Sequence, residues 1–226
     1  MAMRIAPRMP EVRAGYRKSA ATRAAILAAA MAAFGEQGYA GATTRQIAEA
    51  AGVTLPAIAY HFGGKEGLHL ACAEAIVERY RNAAADLVAT GTPTLGAVPP
   101  DRDTCRRLLG NTLGMLLRLF LAPGEGQAQA DFAIRALRER GAAFDLLKTQ
   151  LWEPGIEATA LLVAGARGTA SSGDADRADA LMLISSLLAF GLGADTSMAL
   201  IARDARTPEA RLDMLDGAIA RRIEAL

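Results

Sequence analysis

The stretch Thr22–Glu74, TRAAILAAAMAAFGEQGYAGATTRQIAEAAGVTLPAIAYHFGGKEGLHLACAE, decides the fold. Ile26, Ala30 and Phe34 recur at four-residue spacing with Leu27 beside them, which predicts an amphipathic helix from about Ser19 to Gln37. Gly38 stands where such a helix ends in the left-handed conformation. Thr43 and Gln46 have the spacing of a capping box, opening a second helix that turns Ile47 and Ala51 inward and stops at Gly52. Thr54 is placed to cap a third, very short helix. Pro56 falls in its first turn, where amides lack partners in any case, and Ile58 is its inward anchor. Two short helices joined by a tight Ala-Gly-Val turn (51–53) form a helix-turn-helix unit. The second helix of such a unit lies in the DNA major groove with its N-terminal residues at base edges, while the first crosses the backbone.

That docking assigns Thr54, Leu55, Pro56, Ala57 and Ala59 to the groove surface. Thr43, Thr44 and Arg45, at the start of the preceding helix, bring hydroxyls, a guanidinium and unpaired amides to a phosphate. Tyr60, His61 and Lys65 follow at the far end, where a phenol, an imidazole and an ammonium suit the opposite phosphates. Contacts of that kind supply affinity and register rather than sequence choice. Phe62 reads as the residue that closes the small core.

Charge supports this reading. The formal net charge is only +1, but it is unevenly spread. Up to residue 65 the bases Arg4, Arg8, Arg13, Arg17, Lys18, Arg23, Arg45 and Lys65 face only Glu11, Glu36 and Glu49. The remainder is mildly acidic, which suits a polyanion-binding head on a sensing or partner-binding body. Residues 1–18, rich in Arg and Pro and without periodicity, read as a flexible basic arm. The apolar runs Ala24–Phe34 and Leu181–Ala194 are shorter than the ~18–20 residues of a membrane span, and no apolar block follows the N-terminal arginines. Cys72 and Cys105 sit inside helical apolar patterns and read as two buried thiols in a reducing compartment. A cytoplasmic protein without a membrane partner is expected.

Abundant Ala and Leu, aromatics at 5% and no sustained period-two alternation predict an all-α chain of about nine helices. A helix from Lys65 to about Ala89 is followed by a Pro-containing loop, 90–103. Leu109, Thr112, Leu113, Leu116, Leu117 and Phe120 mark one face of the next helix, ended by Pro123-Gly124. Helices over 128–139, 143–151, 153–166, 176–193 and 207–224 complete the pattern. The expected organisation is an arm (1–18), a three-helix DNA-binding head (19–65) and a helical ligand-binding and dimerisation bundle (66–226).

The head resembles the TetR family of bacterial transcriptional regulators through the turn at 51–53, Tyr60-His61-Phe62, Lys65-Glu66 and Leu68. Within that family, VTLPAIAYHFGGKEGL (53–68) looks most like the CecR-like subgroup, whose members carry an Ala-Ile-x-Tyr-His-Phe-Gly-x-Lys-Glu-Gly-Leu run. Ala142 to Gly168, with Ala143-Phe144, Pro154 and Leu162-Val163, resembles the helical C-terminal domain of that subgroup. The resemblance implies a homodimer on a near-palindromic operator, with a small-molecule effector pocket in the body. It puts phosphate contacts on Thr44, Tyr60, His61 and Lys65, and base reading on Leu55, Pro56, Ala57 and Ala59. Three positions depart from the pattern. Ala59 replaces the subgroup's usual Asn, and Leu55 and Ala57 are apolar where relatives often carry Lys, Ser or Thr. This shifts readout toward Arg45, thymine-methyl contacts and DNA shape.

Met115, Phe120, Phe132, Phe144 and Trp152 are the candidate effector-pocket residues. In helix 176–193, Leu181, Ile184, Leu188 and Leu192 form one apolar stripe. Met182, Ser186, Ala189 and Gly193 form a second, the candidate dimer interface, because a helix apolar on all sides must bury both. No G-x-S-x-G, P-loop or dinucleotide turn is present, so no catalytic residue or cofactor is expected. Two His and two Cys make a zinc site a poor reading. The leading reading is a ligand-responsive repressor. A DNA-binding regulator without a small-molecule effector and a helical ligand carrier that no longer regulates remain as alternatives.

Overall fold

Ile26, Ala30 and Phe34 are completely buried on one face of α1 (Glu11–Gly41), and around them the head assembles. The computed structural model describes residues 11–89, 101–122, 124–191, 200–201 and 207–226. Gly38 interrupts α1 with φ 74° and ψ 174°, conformational space essentially confined to glycine, and one further turn carries the chain to Gly41. Residues 11–18, expected in the flexible arm, are instead helical and continuous with α1. Their Arg-rich composition favours helix as readily as coil once Ala20–Ala33 has nucleated it.

Then come α2 (Thr44–Ala50), α3 (Leu55–Phe62) and α4 (Lys65–Ala89). Ile47 and Ala48 of α2, Ile58 of α3 and Leu68, Cys72, Ile76 and Val77 of α4 close over the α1 stripe. The same cluster takes in Phe132 and Ala136 of α6 (Glu125–Glu139) and Ala143 and Leu147 of α7 (Ala142–Leu147). Head and body therefore share one apolar core, and the expected boundary at residues 65 and 66 falls at the first residues of a helix belonging to both.

A second cluster forms the body. α5 (Arg102–Leu121), capped by Asp101, buries Leu109, Leu113 and Leu117 against Val163 of α8 (Glu153–Arg167) and Leu183 and Leu187 of α9 (Asp174–Gly191). Leu215 and Ile223 of α10 (Pro208–Glu224) complete it. Each such side chain contributes about 1.5–3 kcal/mol by leaving water. Cys72 and Cys105 are both buried and form no disulfide. Burial pushes the Cys72 thiol up to about 12, so it stays protonated.

The break expected near residue 152 does not occur. α7 runs into α8 through one π turn, Lys148–Trp152, where Glu153 N–H donates to Lys148 O five residues back. The wider turn accommodates Pro154, which has no N–H and would crowd the carbonyl four residues before it. Among the described residues the fold is all-α, with no strand and no helix long and apolar enough to cross a membrane.

Candidate nucleic-acid interface

The capping box at the start of α2 forms as its spacing predicts. Gln46 N–H donates to Thr43 Oγ1 at 3.2 Å and Thr43 N–H to Gln46 Oε1 at 3.1 Å. The Thr43 hydroxyl also donates to Gln46 Oε1 at 2.6 Å, so its proton is engaged inside the box. Thr44 is half-exposed and Arg45 exposed in the first turn of α2.

The turn after α2 is a Schellman motif: Val53 N–H donates to Ala48 O and Gly52 N–H to Glu49 O, with Gly52 at φ 66°. It delivers α3 with Ile58 buried as its anchor. Thr54 occupies the N-cap position of α3, but its side chain makes no capping bond, contrary to the sequence expectation. Pro56 in the first turn lowers the number of amides needing a cap, which explains why the helix tolerates this. Thr54, Leu55, Pro56, Ala59 and Tyr60 are exposed and Ala57 half-exposed. Leu55, at 49% exposure, is an apolar side chain on an open surface, and Tyr60 reaches 83%. That exposure removes Tyr60 from the core and leaves its hydroxyl to solvent or a partner.

At the far end, His61 meets Tyr60 edge to face with ring centroids 5.0 Å apart. Phe62 packs partly buried against the head core, as expected, under the Arg23 guanidinium at 5.0 Å. The Lys65 ammonium opens α4 and lies 4.7 Å from the centroid of the Tyr39 ring. The assembled surface carries a Thr hydroxyl, an Arg, a phenol, an imidazole and an ammonium around an apolar helix. These are donor groups of the kind that phosphate oxygens accept.

Residues 26–72 match the model of the bacterial regulatory proteins, tetR family. Over 176 residues, 76% of each chain, the sequence is 34% identical to the HTH-type transcriptional dual regulator CecR of Shigella flexneri. The chain belongs to the TetR family. It is also 50% identical over 52 residues to the HTH-type transcriptional repressor AcnR of Corynebacterium glutamicum, across 23% of this chain and 28% of that one. The crystal structure of a TetR-like transcriptional regulator from Rhodococcus sp. RHA1 shares the fold, with a TM-score of 0.59 and 20% identity, over 90% of this chain and 96% of that one. This TetR-family chain is thus a DNA-binding transcriptional regulator, and its relatives are regulators rather than enzymes.

In the body, the five candidate pocket residues, four aromatics and Met115, do not line one cavity. Phe132 is buried in the head–body core, T-stacked on Phe34. Phe144 and Trp152 pair at 5.8 Å on α7 and the π turn, both partly exposed. Phe120 is buried against Tyr80 in the second cluster. Of these, Met115 borders a sizeable cleft, of about 720 Å³, between α4, α5 and α10. Its walls are Ala83, Gly110, Met115, Leu119 and Ile219, with Asp86, Asn111 and the Arg118–Asp216 ion pair supplying polar groups. Packing distributed the large aromatics among cores.

On α9 the buried line is Ala180, Leu183 and Leu187, flanked by Ile184 and Leu188. Leu181, expected on one stripe with Ile184 and Leu188, is 50% exposed and joins Met182, Ser186 and Ala189 on the solvent side. Gly193 and Leu192 lie outside the described residues. No group of three His, Cys, Asp or Glu with metal-holding geometry occurs among the described residues.

No sequence motif marks Glu139, yet it anchors the junction of head and body. Its carboxylate accepts the Tyr39 N–H at 3.2 and 3.1 Å, while Arg135 donates to Glu36 O at 2.8 Å. The end of α6 thereby holds the end of α1. His69, with Phe34, Tyr39 and Phe132 around it at 4.7–5.0 Å, fills the space beneath.

Proposed function

We propose that this regulator is a cytoplasmic, ligand-responsive repressor that binds a near-palindromic operator as a homodimer. The observation that carries the reading is α3: Leu55, Pro56, Ala59 and Tyr60 are exposed on a helix whose anchor, Ile58, is buried. Leu55, Pro56, Ala57 and Ala59 meet base edges, with Thr54 at the entry, and Thr44, Arg45, Tyr60, His61 and Lys65 hold phosphates. Thr43 acts through the cap. Residues 19–65 form the DNA-binding unit and 66–226 the sensing and dimerising one.

The exposed Leu181, Met182, Ser186 and Ala189 support a two-fold contact through α9, since a single chain leaves this face in water. The effector enters the cleft between α4, α5 and α10, whose volume lies in the range of small-molecule sites. α4 carries Ala83 and Asp86 on the cleft wall and begins at Lys65, roughly 30 Å away at 1.5 Å per residue. A ligand that binds two settings of α4 unequally changes the spacing of the heads, and only to the extent of that inequality.

Sequencing genomic fragments captured by the purified protein tests this. Paired half-sites about one helical turn (~34–36 Å) apart are expected. Recovery of unpaired half-sites would reject the homodimeric operator reading.

A further inference from the structure

Lys65 is the first residue of α4, where aligned peptide dipoles oppose a cation, and Glu66 is the acidic residue in that first turn. The ammonium nevertheless has a defined seat over the Tyr39 ring, at 4.7 Å. That ring is packed against His69, with centroids 4.9 Å apart, and stacked on Phe34 at 6.1 Å. Its backbone N–H is gripped from the body by both carboxylate oxygens of Glu139, the last residue of α6.

An aromatic face attracts a cation without neutralising it. A carboxylate in the same place would compete with phosphate for the ammonium's donors; a ring leaves them available for an oxygen. It also narrows the rotamers of a flexible side chain before DNA arrives, reducing the ordering that binding must impose.

We infer that Tyr39 is a positioning residue for Lys65, and that Glu139, by fixing Tyr39, ties the setting of body helix α6 to a DNA-phosphate contact. The inference rests on the reading of Lys65 as a phosphate contact. Tyr39 touches no DNA itself, and its influence on affinity runs through the ammonium.

The test is a double-mutant cycle on the full-length protein, titrated with a mixed-sequence DNA duplex over a range of salt concentrations. Lys65→Ala weakens binding to all sequences and lowers the salt slope by about one unit. Tyr39→Leu weakens binding about two- to fivefold when Lys65 is present, the scale of an exposed cation–π contact, and has no effect in the Lys65→Ala background. Tyr39→Phe, which keeps the ring, binds as the native protein does. Equal weakening by Tyr39→Leu in both backgrounds, or none in either, overturns the positioning role while leaving Lys65 as a phosphate contact. An unchanged affinity and salt slope in Lys65→Ala rejects the phosphate reading, and the inference falls with it. Should Tyr39→Leu lose its helical signal, Glu139→Ala, which leaves ring and ammonium in place, enters the same cycle with the same expected non-additivity.

Discussion

A Cβ placed on Gly38 would lie 2.1 Å from Oε1 of Glu139, so the carboxylate that holds the end of α1 fits there because residue 38 has no side chain. The backbone at Gly38, with φ 74°, is strained for any other residue. Gly38→Ala therefore carries two penalties: backbone strain of about 1–3 kcal/mol, and displacement of Glu139 from the Tyr39 N–H. Urea unfolding separates them, because in a Glu139→Ala background only the first remains. An equal cost in both backgrounds would show that the close approach has no energetic weight.

His69 makes this junction sensitive to acid. Burial holds its imidazole below the ordinary value of 6.5; nearby Glu139 opposes the shift and Lys65 adds to it. Below pH 6.5 the unfolded chain takes up a proton that folded His69 resists. The stability it contributes is thus complete above that pH and declines as pH falls toward the lowered folded value. Thermal unfolding followed from neutral pH downward is expected to show a steeper loss in the native protein than in His69→Phe. Parallel curves would remove the imidazole as the cause.

The parts legible in the sequence are those written locally. The capping box of Thr43 and Gln46, the turn at Gly52 and the anchor Ile58 lie within sixteen residues of chain, and spacing alone identifies them. Glu139 and Tyr39 are 100 residues apart and neither belongs to a motif, so nothing in the order of residues announces their contact. The later part of α9 is apolar on nearly every side, which leaves its periodicity without a phase; Leu181 shares a sequence stripe with Ile184 and Leu188 but is exposed. Phe120 and Phe132 lie in separate clusters for a related reason. Size and apolarity say that Phe120 and Phe132 are buried, but tertiary packing decides in which cluster.

The proposed DNA contacts predict two separable mutational signatures. Leu55→Ala removes apolar contact without changing charge, so the salt dependence of DNA binding stays as it was. Discrimination falls at one or two base-pair positions by about 1 kcal/mol each, the lower range for a mismatched pair. Lys65→Ala, at the start of α4, weakens all sequences alike and lowers the salt slope by about one unit. Affinity selection on randomised duplexes distinguishes the two. A uniform loss of affinity from Leu55→Ala would mean that this side chain does not face bases.

The outward face of α9 gives the most direct test of assembly. Met182 is 59% exposed and Leu181 50%, whereas Leu183 and Leu187 beside them are buried against the body. In a two-fold interface one substitution acts on both copies, so Met182→Glu brings two carboxylates into an apolar contact. The variant is expected to sediment as a monomer at micromolar concentration with its helical signal intact, because Met182 lies outside both buried clusters of its own chain. Loss of the second head removes the benefit of simultaneous binding, so affinity for a two-half-site operator falls by roughly 100-fold or more while affinity for a single half-site is retained. Leu183→Glu, by contrast, places the charge in the core and unfolds the body. If Met182→Glu remains a dimer with native operator affinity, the two-fold contact is made elsewhere on the surface.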